Sequence, residues 1–498
     1  MHLQQTKPRA RRRAPAARGS SRPPSFVFIL LDDMGWRDLG CYGSSFYETP
    51  RIDRLAAEGL RFTDAYASCP VCSPTRASFL TGKYPATVGI TNFIAGNAWG
   101  RMMGAPYRKA LPRGEVTIAE TLRRAGYRTW HVGKWHLGPR GNWPEDFGFE
   151  VNLGGCHHGH PHQGYFSPYG LPTLPDGPPG EYLTDRLTDE AVRLIRSAGD
   201  APFFLYLSHY AVHTPIQAPA EGVAKYEAKA RRLKLDPEGP LEPGAFFPCL
   251  HKKDQRILRR RVQSHPAYAA MIENLDANVG RVLDALEAAG RARDTVVIFT
   301  SDNGGLSTAE GSPTSNAPLS EGKGWMYDGG VREPLLVRWP GVIAPGRVCA
   351  APVTTPDFYP TLLEAAGLPP MPEQHCDGVS MLPLWRGAPR WERGPIFWHY
   401  PHYSNQGGTP ACAVRAGDWK LIEFFEDGRA ELYNLREDIG ETRDRAADRP
   451  DLVRDLRARL AEWRAAVGAR IPEPNPRFAA MLAGRAPCPD GAGRLPET

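Results

Sequence analysis

Polar residues that suit a cation follow two apolar runs of this chain. Asp32 and Asp33 come directly after the run FVFILL, and Asp302 and Asn303 come shortly after the run TVVIF. In open α/β sheets, ligands bind beyond the carboxyl ends of the strands. A cluster of carboxylates and an amide offers only oxygen ligands, which hard divalent cations prefer. We therefore predict one calcium ion bound by Asp32, Asp33, Asp302 and Asn303. The alternative is that both motifs are only turns that end strands.

Basic and imidazole side chains follow two further apolar runs. Lys134 and His136 lie in GKWHLG, after a strand-like segment, and His213 lies in HYAVHTP, after FFLYL. A histidine in a core is commonly just a hydrogen-bonding group. Two histidines on the same sheet edge as an acidic cluster instead favour an active site.

The cysteines do not form a disulfide framework, because nine of them are scattered at irregular spacing. Cys69 and Cys72 form a C-x-x-C, which alone is typical of a redox motif. The residues that follow change this interpretation. Cys72, Pro74 and Arg76 form a C-x-P-x-R that continues into a Thr-Gly pair.

With these motifs in this order, the chain resembles the sulfatase family of the alkaline-phosphatase superfamily, from residue 26 to about residue 445. The resemblance rests on C-x-P-x-R, the early Asp pair, GKWHLG, HTP, SDNGG, Lys323 and GGVREP. Thr75 stands where serine is commoner, but the recognised core of the motif is intact.

The resemblance implies that a formylglycine-generating enzyme oxidises Cys72 to Cα-formylglycine. The hydrated aldehyde would attack sulfur with one hydroxyl and expel sulfate with the other, a nucleophile that regenerates itself. It would also complete the calcium shell. The implied catalytic roles are positive charge toward the sulfate oxygens from Arg76, Lys134 and Lys323, a base in His136, and an acid in His213 assisted by Lys323.

The substrate prediction rests on two histidine-rich segments. Residues 155–162 (GCHHGHPH) precede several aromatic residues, and residues 399–403 read HYPHY. Such side chains suit a sugar, so we expect a sulfated saccharide. The substrate-binding candidates are His157, His158, His160, Arg332, His399 and His402. The first segment could instead bind a transition metal, and the second could only pack a domain interface.

Two other functions stay open on the sequence. One is a phosphonate monoester or phosphodiester hydrolase of the same superfamily. The other is a catalytically inactive glycan-binding relative, which the full set of expected site residues disfavours.

The apolar runs alternate with helical patterns, which predicts an α/β fold with a large, mostly parallel sheet flanked by helices. The resemblance implies an alkaline-phosphatase-like architecture. Toward the C-terminus, Asp427-Gly428 joins two β-type runs ahead of a helical pattern, which indicates a smaller antiparallel-sheet domain. The expected divisions are a disordered basic tail (1–24), a catalytic domain (25–370), a small α+β domain (371–470) and a C-terminal tail (471–498).

Composition excludes several classes of protein. The 498 residues are 41% hydrophobic and carry a net charge of +6. No apolar run approaches the ~18 residues that span a bilayer, so we expect no membrane protein. The small charge does not suggest a nucleic-acid binder, a function that only the basic tail supports. The start of the chain lacks a secretory signal, which predicts a cytoplasmic protein, or a periplasmic or secreted one if the start codon is misassigned.

Overall fold

The structure, a computed structural model, describes residues 22–236, 241–489 and 491–492. The basic tail predicted over 1–24 therefore falls almost wholly outside the described residues. Among the described residues, no helix combines the length and the apolar character needed to cross a membrane.

A nine-stranded mixed sheet forms the centre of the molecule. Its order is Arg347–Cys349, Leu60–Tyr66, Arg332–Arg338, Thr295–Ser301, Ser25–Leu31, Phe203–Ser208, Arg128–Gly133 and Val151–Leu153, with Val353–Thr354 also paired to Leu60–Tyr66. The strand Arg332–Arg338 is antiparallel to both neighbours, and every other pairing is parallel. The four consecutive strands from Thr295–Ser301 to Arg128–Gly133 have buried central residues on both faces, as expected where helices cover a parallel sheet.

The strand register aligns the polar residues at one edge of the sheet. Leu31 pairs with Ser301, so Asp32 and Asp302 leave the sheet side by side. Gly133 pairs with Ser208, so Lys134 leaves the sheet at that same edge. The alignment expected from the apolar runs is thus confirmed.

Helices cover the sheet and complete the main core. Those of the catalytic domain are Pro50–Ala57, Cys72–Thr81, Pro85–Val88, Ile118–Arg124, Leu183–Arg196, Ala220–Arg232, Pro266–Ala288, Asp328–Val331, Phe358–Ala365 and Leu382–Trp385. The long helix Pro266–Ala288 places Met271, Leu275, Val279, Val282 and Leu286 in the core, as its spacing predicts.

A second sheet is antiparallel and belongs to the C-terminal part of the chain. It contains Ile396–Tyr400, Ala411–Ala416, Trp419–Phe424 and Ala430–Asn434 in sequence order, and the helix Pro450–Ala466 packs on it through Leu456 and Leu460. Two-stranded pairs complete the described strands: Gly96–Asn97 with Gly491–Ala492, Met102–Met103 with Glu473–Pro474, and Leu241–Phe246 with Arg256–Arg260.

Two of the expected divisions differ from the structure. Met381, Leu382 and Trp385 belong to the main core, so the small domain begins after about residue 390 rather than at 371. Apolar burial, which no local motif marks, decides this boundary. The expected C-terminal tail includes the strand Glu473–Pro474 and the helix Phe478–Leu482, which pack against the catalytic domain through pairing with Met102–Met103.

A buried ionic cluster joins the two sheets. The Lys420 ammonium lies 2.8 Å from Asp328 and 2.9 Å from Glu441, and all three side chains are fully buried. Beside them, Asp64 pairs with Arg332 at 3.0 Å and with Arg415 at 2.8 Å. Because a buried charge is tolerated only when it is paired, this cluster fixes the small domain on the catalytic domain.

Replacing Lys420 with methionine removes the central cation of that cluster. Lys420→Met should lower the free energy of unfolding by about 3–5 kcal/mol, because the Glu441 carboxylate stays buried without the cation that pairs with it. Arg436→Met is the control, since that side chain is 80% exposed and should change stability by less than about 0.5 kcal/mol. Equal denaturation curves for the two variants would show that the cluster does not hold the domains together.

Candidate active site

Cys72 is the first residue of the helix Cys72–Thr81, all ten residues of which are buried. Its side chain lies at the helix N-terminus, where the backbone N–H groups and the helix dipole favour an anion. The Thr75 hydroxyl, at the position where serine is commoner, donates to the Cys69 carbonyl at 3.1 Å. The threonine therefore fits the turn without disturbing the motif.

The four predicted cation ligands converge beyond the strand ends. The Asp33 backbone N–H lies 3.3 Å from Asp302 Oδ1, and the Asn303 amide nitrogen donates to Asp33 Oδ1 at 2.8 Å. Asp32, Asp33, Asp302 and Asn303 are at most 1% exposed. Asp33 takes a left-handed backbone conformation, with φ of 63°, which is uncommon for a non-glycine residue.

Three cations surround the carboxylates. The Lys134 ammonium lies 2.6 Å from Asp32 Oδ2, and the Lys323 ammonium lies 2.7 Å from Asp33 Oδ2. The Arg76 guanidinium lies 2.7 Å from Asp302 Oδ2. The sequence assigned these cations to sulfate oxygens. In the structure, each of the three cations forms an ion pair with a carboxylate.

The oxygen cluster fits a divalent cation. Asp32 Oδ1 and Asn303 Oδ1 are buried, and neither has a hydrogen-bond partner among the residues that the structure describes. Burial raises the pKa of Asp32 well above its usual range, and although Lys134 opposes this shift, the carboxylates of Asp302 and Asp33 add to it. A bound cation would satisfy the free oxygens and relieve the crowding of negative charge. Ligand atoms of Asp32, Asp33 and His213 lie within 4.8 Å of one another, which places His213 at the edge of the same group.

His136 presents an unprotonated nitrogen to residue 72. Its Nε2 lies 3.2 Å from the Ile94 carbonyl oxygen, which can only accept, so Nε2 carries the proton. Its Nδ1 lies 3.4 Å from Cys72 Sγ. Burial, reinforced by Lys134 and Arg76, lowers the pKa of His136 well below its usual range. The ring is therefore neutral near pH 7 and can accept a proton at Nδ1.

His213 and Lys323 share one hydrogen bond. The Lys323 ammonium lies 3.0 Å from His213 Nε2, and His213 Nδ1 lies 2.9 Å from the Thr214 carbonyl oxygen. Burial and then the charge of Lys323 lower the pKa of His213 well below its usual range. Asp33 keeps the pKa of Lys323 above its usual value despite burial. The mobile proton of the pair thus lies on Lys323 and not on His213.

Comparison with known proteins identifies the family. The sulfatase family profile matches residues 24–368, and a profile described as the C-terminal part of N-sulphoglucosamine sulphohydrolase matches residues 321–466. The chain belongs to the sulfatase family. It is a sulfuric ester hydrolase, so the resemblance seen in the sequence is confirmed.

Three similar proteins show how far the likeness extends. A sulfatase of Formosa agariphila is 34% identical over 89% of this chain and 89% of its own length. The N-acetylgalactosamine-6-sulfatase of Mus musculus is 34% identical over 81% of this chain and 72% of its own length. The structure titled Ps i-CgsB in complex with k-i-k-neocarrahexaose is 29% identical, covers 89% of this chain and 93% of its own, and has a TM-score of 0.69.

The histidine-rich loop of this sulfatase lies against His136 and His213. The ring of His160 stacks on that of His213 with centroids 6.0 Å apart. At Gly159 a Cβ atom would meet His136 Cε1 at 2.6 Å, so only glycine fits there. His157 and His158 continue the same cluster, with ring centroids 4.2 Å apart. Burial and neighbouring histidines lower the pKa of His158 to about 3. The loop therefore presents neutral imidazoles at the mouth of the site.

Three other substrate-binding candidates are placed elsewhere. Arg332 is 4% exposed, and its guanidinium pairs with Asp64 and Asp328. His399 and His402 are also buried: their Nε2 atoms lie 2.9 Å from the Arg470 carbonyl oxygen and 2.8 Å from the Thr91 hydroxyl, respectively. The HYPHY segment thus packs a domain interface, the alternative that the sequence left open.

Sequence reasoning missed two serines that hold His136 and Arg76 in place. The Ser73 hydroxyl donates to the His136 carbonyl at 2.9 Å and accepts from the Ile94 N–H at 3.1 Å. The Ser208 hydroxyl accepts from Arg76 at 2.5 Å. Ser73 could have been found from its place inside C-x-P-x-R. Ser208 only ends a buried strand and carries no signal.

Replacing Asp302 with asparagine keeps its size but removes one negative charge from the cluster. Asp302→Asn should weaken calcium binding, measured by isothermal titration, by at least about tenfold, since even groups outside the direct ligand shell contribute that much at metal sites. Asp357→Asn is the matched control, because Asp357 is equally buried and lies 2.8 Å from a buried arginine, Arg393. If the control loses as much affinity as Asp302→Asn, the calcium assignment is wrong.

Proposed function

We propose that this sulfatase removes sulfate from a sulfated carbohydrate, with formylglycine at position 72 and one calcium ion held by the oxygen cluster. The observation that carries the proposal is the charge balance around residue 72. Three carboxylates and three buried cations meet there in direct ion pairs. A divalent cation added to this balanced set leaves a surplus of two positive charges, which suits an anionic ester in a pocket closed to water.

The environment of Cys72 supports conversion of its side chain. Burial raises the pKa of the Cys72 thiol, although Lys134 and Lys323 oppose the shift. A buried, protonated thiol is a poor nucleophile, because the thiolate is the reactive form. Formylglycine, once hydrated, supplies an oxygen nucleophile, and calcium supplies fixed positive charge near the sulfate oxygens.

The residues of the chain then move two protons. His136 accepts a proton at Nδ1 from the side chain at position 72, because this nitrogen is unprotonated and lies closest to it. Lys323 holds the proton for the leaving oxygen, and it delivers that proton through His213 Nε2, 3.0 Å away. The sequence prediction was an acid in His213 assisted by Lys323, and here the proton is held by Lys323.

The carbohydrate part of the proposal rests on the loop at 157–162. Neutral imidazoles both donate and accept hydrogen bonds, which suits the hydroxyl groups of a sugar, and His160 places them next to His213. The names of two relatives, an N-acetylgalactosamine-6-sulfatase and a protein bound to a neocarrahexaose, support the same class of substrate.

Cysteine substitutions test the nucleophile. With a formylglycine-generating enzyme that oxidises only cysteine, Cys72→Ser should abolish sulfate release from 4-nitrophenyl sulfate. Cys69→Ser should keep most of the activity, because Cys69 is buried in an apolar cluster with Tyr66 and Trp398. Loss of activity in both variants, together with a Cys69–Cys72 disulfide, would favour a redox motif. Hydrolysis of a phosphodiester or phosphonate but of no sulfate ester would assign the chain to the alternative chemistry.

Removal of the imidazole at position 213 tests the proton delivery. A sugar alkoxide leaves only with a proton, whereas an activated aryl leaving group departs nearly unaided. His213→Ala should therefore lower kcat on a sulfated saccharide by about 10²–10⁴-fold and should lower it much less on an aryl sulfate. His375→Ala is the control, because His375 is also a buried histidine but is not one of the residues around position 72. An equal loss on both substrates would show that His213 serves only to hold Lys323 and Asp33 in place.

A further inference from the structure

A surface cavity of about 380 Å³ lies where the catalytic domain meets the end of the C-terminal helix. One wall is formed by residues 86–91 and 106–108 of the catalytic domain. The other is formed by residues 467–470, directly after the helix Pro450–Ala466. The cavity is separate from the cluster of carboxylates and cations around residue 72.

Two arginines line this cavity, Arg108 on one wall and Arg470 on the other. Both side chains are exposed. Among the described residues, neither guanidinium has a hydrogen bond or an ion pair, whereas most other arginines of the molecule pair with a carboxylate. Within the part of the chain that the structure describes, no acidic residue lines the cavity. The lining residue Thr87 donates its hydroxyl to Asp377, which does not itself line the cavity, at 2.7 Å.

A glycine makes room for one of the two side chains. Gly89 has a left-handed φ of 82°, and a Cβ atom there would lie 3.0 Å from Arg108 Nε. The backbone thus lets the guanidinium stem lie flat along the cavity wall. Arginine presents a planar set of donors that matches the oxygens of sulfate or a carboxylate.

We propose that this cavity binds a second sulfate group, one carried by the same glycan chain whose target sulfate occupies the active site. The inference deepens the proposed function and rests on it for the source of the sulfate. Two free guanidinium groups facing one cavity form a site for a tetrahedral oxyanion.

A short segment links the cavity to the active site. Thr91 lines the cavity, and three residues later the Ile94 carbonyl holds His136 Nε2. Three residues span at most about 11 Å from Cα to Cα. The wall of the cavity at Thr91 and the segment that holds His136 are therefore separated by a distance that a sulfated oligosaccharide can span.

Direct binding tests the cavity without any turnover. Fluorescent dextran sulfate is titrated into protein made without the formylglycine-generating enzyme, with uncharged dextran as the ligand control. The double variant Arg108→Gln/Arg470→Gln should bind about tenfold more weakly, because charge-assisted hydrogen bonds from arginine are among the strong ones. Arg196→Gln, at an exposed arginine that lines another surface groove, should stay within about twofold of the wild type. Equal binding by the two variants would overturn the proposal.

Kinetics on the mature enzyme identify the source of the sulfate. The double variant should raise KM for a multiply sulfated oligosaccharide several-fold and leave KM for 4-nitrophenyl sulfate unchanged. If sodium sulfate binds the wild type and not the double variant while the oligosaccharide KM is unchanged, the cavity takes free sulfate, and its assignment to a glycan chain is wrong. An enzyme inactive on all sulfate esters would disprove the proposed function, whereas the dextran sulfate titration would still decide the cavity.

Discussion

Three carboxylates buried side by side are the constraint on which this structure depends. Asp32, Asp33 and Asp302 lie next to one another because two parallel strands end in register. Carboxylates so close and so buried repel one another and lose their hydration. They persist only because a cation reaches each of them from another part of the chain. The strand register thus brings the carboxylates together, and the paired cations stabilise them.

Elements outside the site position the cations that pair with these carboxylates. Arg76 lies in the helix that begins at Cys72, so one of the three cations and residue 72 are placed by the same element. Lys323 belongs to a loop whose next residue donates to the Pro70 carbonyl at 2.8 Å. The turn at Asp328, a few residues further, is held by Lys420 of the small domain. The C-terminal domain therefore helps to hold the segment that carries Lys323 in place.

The fold and the charged centre could be predicted from sequence because they follow local rules. Apolar runs that end abruptly in polar residues indicate buried strands and the edge where ligands bind. The substrate-binding residues were harder to predict from the sequence. Arg332, His399 and His402 looked available, but each is buried by partners from distant segments, and such partners leave no local signal. That the proton is held by Lys323 and not by His213 could not be predicted from the sequence either. It depends on a hydrogen bond between residues 110 positions apart.

The proposed chemistry requires formylglycine at position 72. Mass spectrometry of the peptide that contains residue 72 tests this requirement. The peptide is compared between protein made with and without a formylglycine-generating enzyme, alongside the sulfate-releasing activity of each preparation. We expect an aldehyde at residue 72 in the first preparation, in proportion to its activity, and an unmodified cysteine without activity in the second. Full activity with an unmodified cysteine at residue 72 would contradict it.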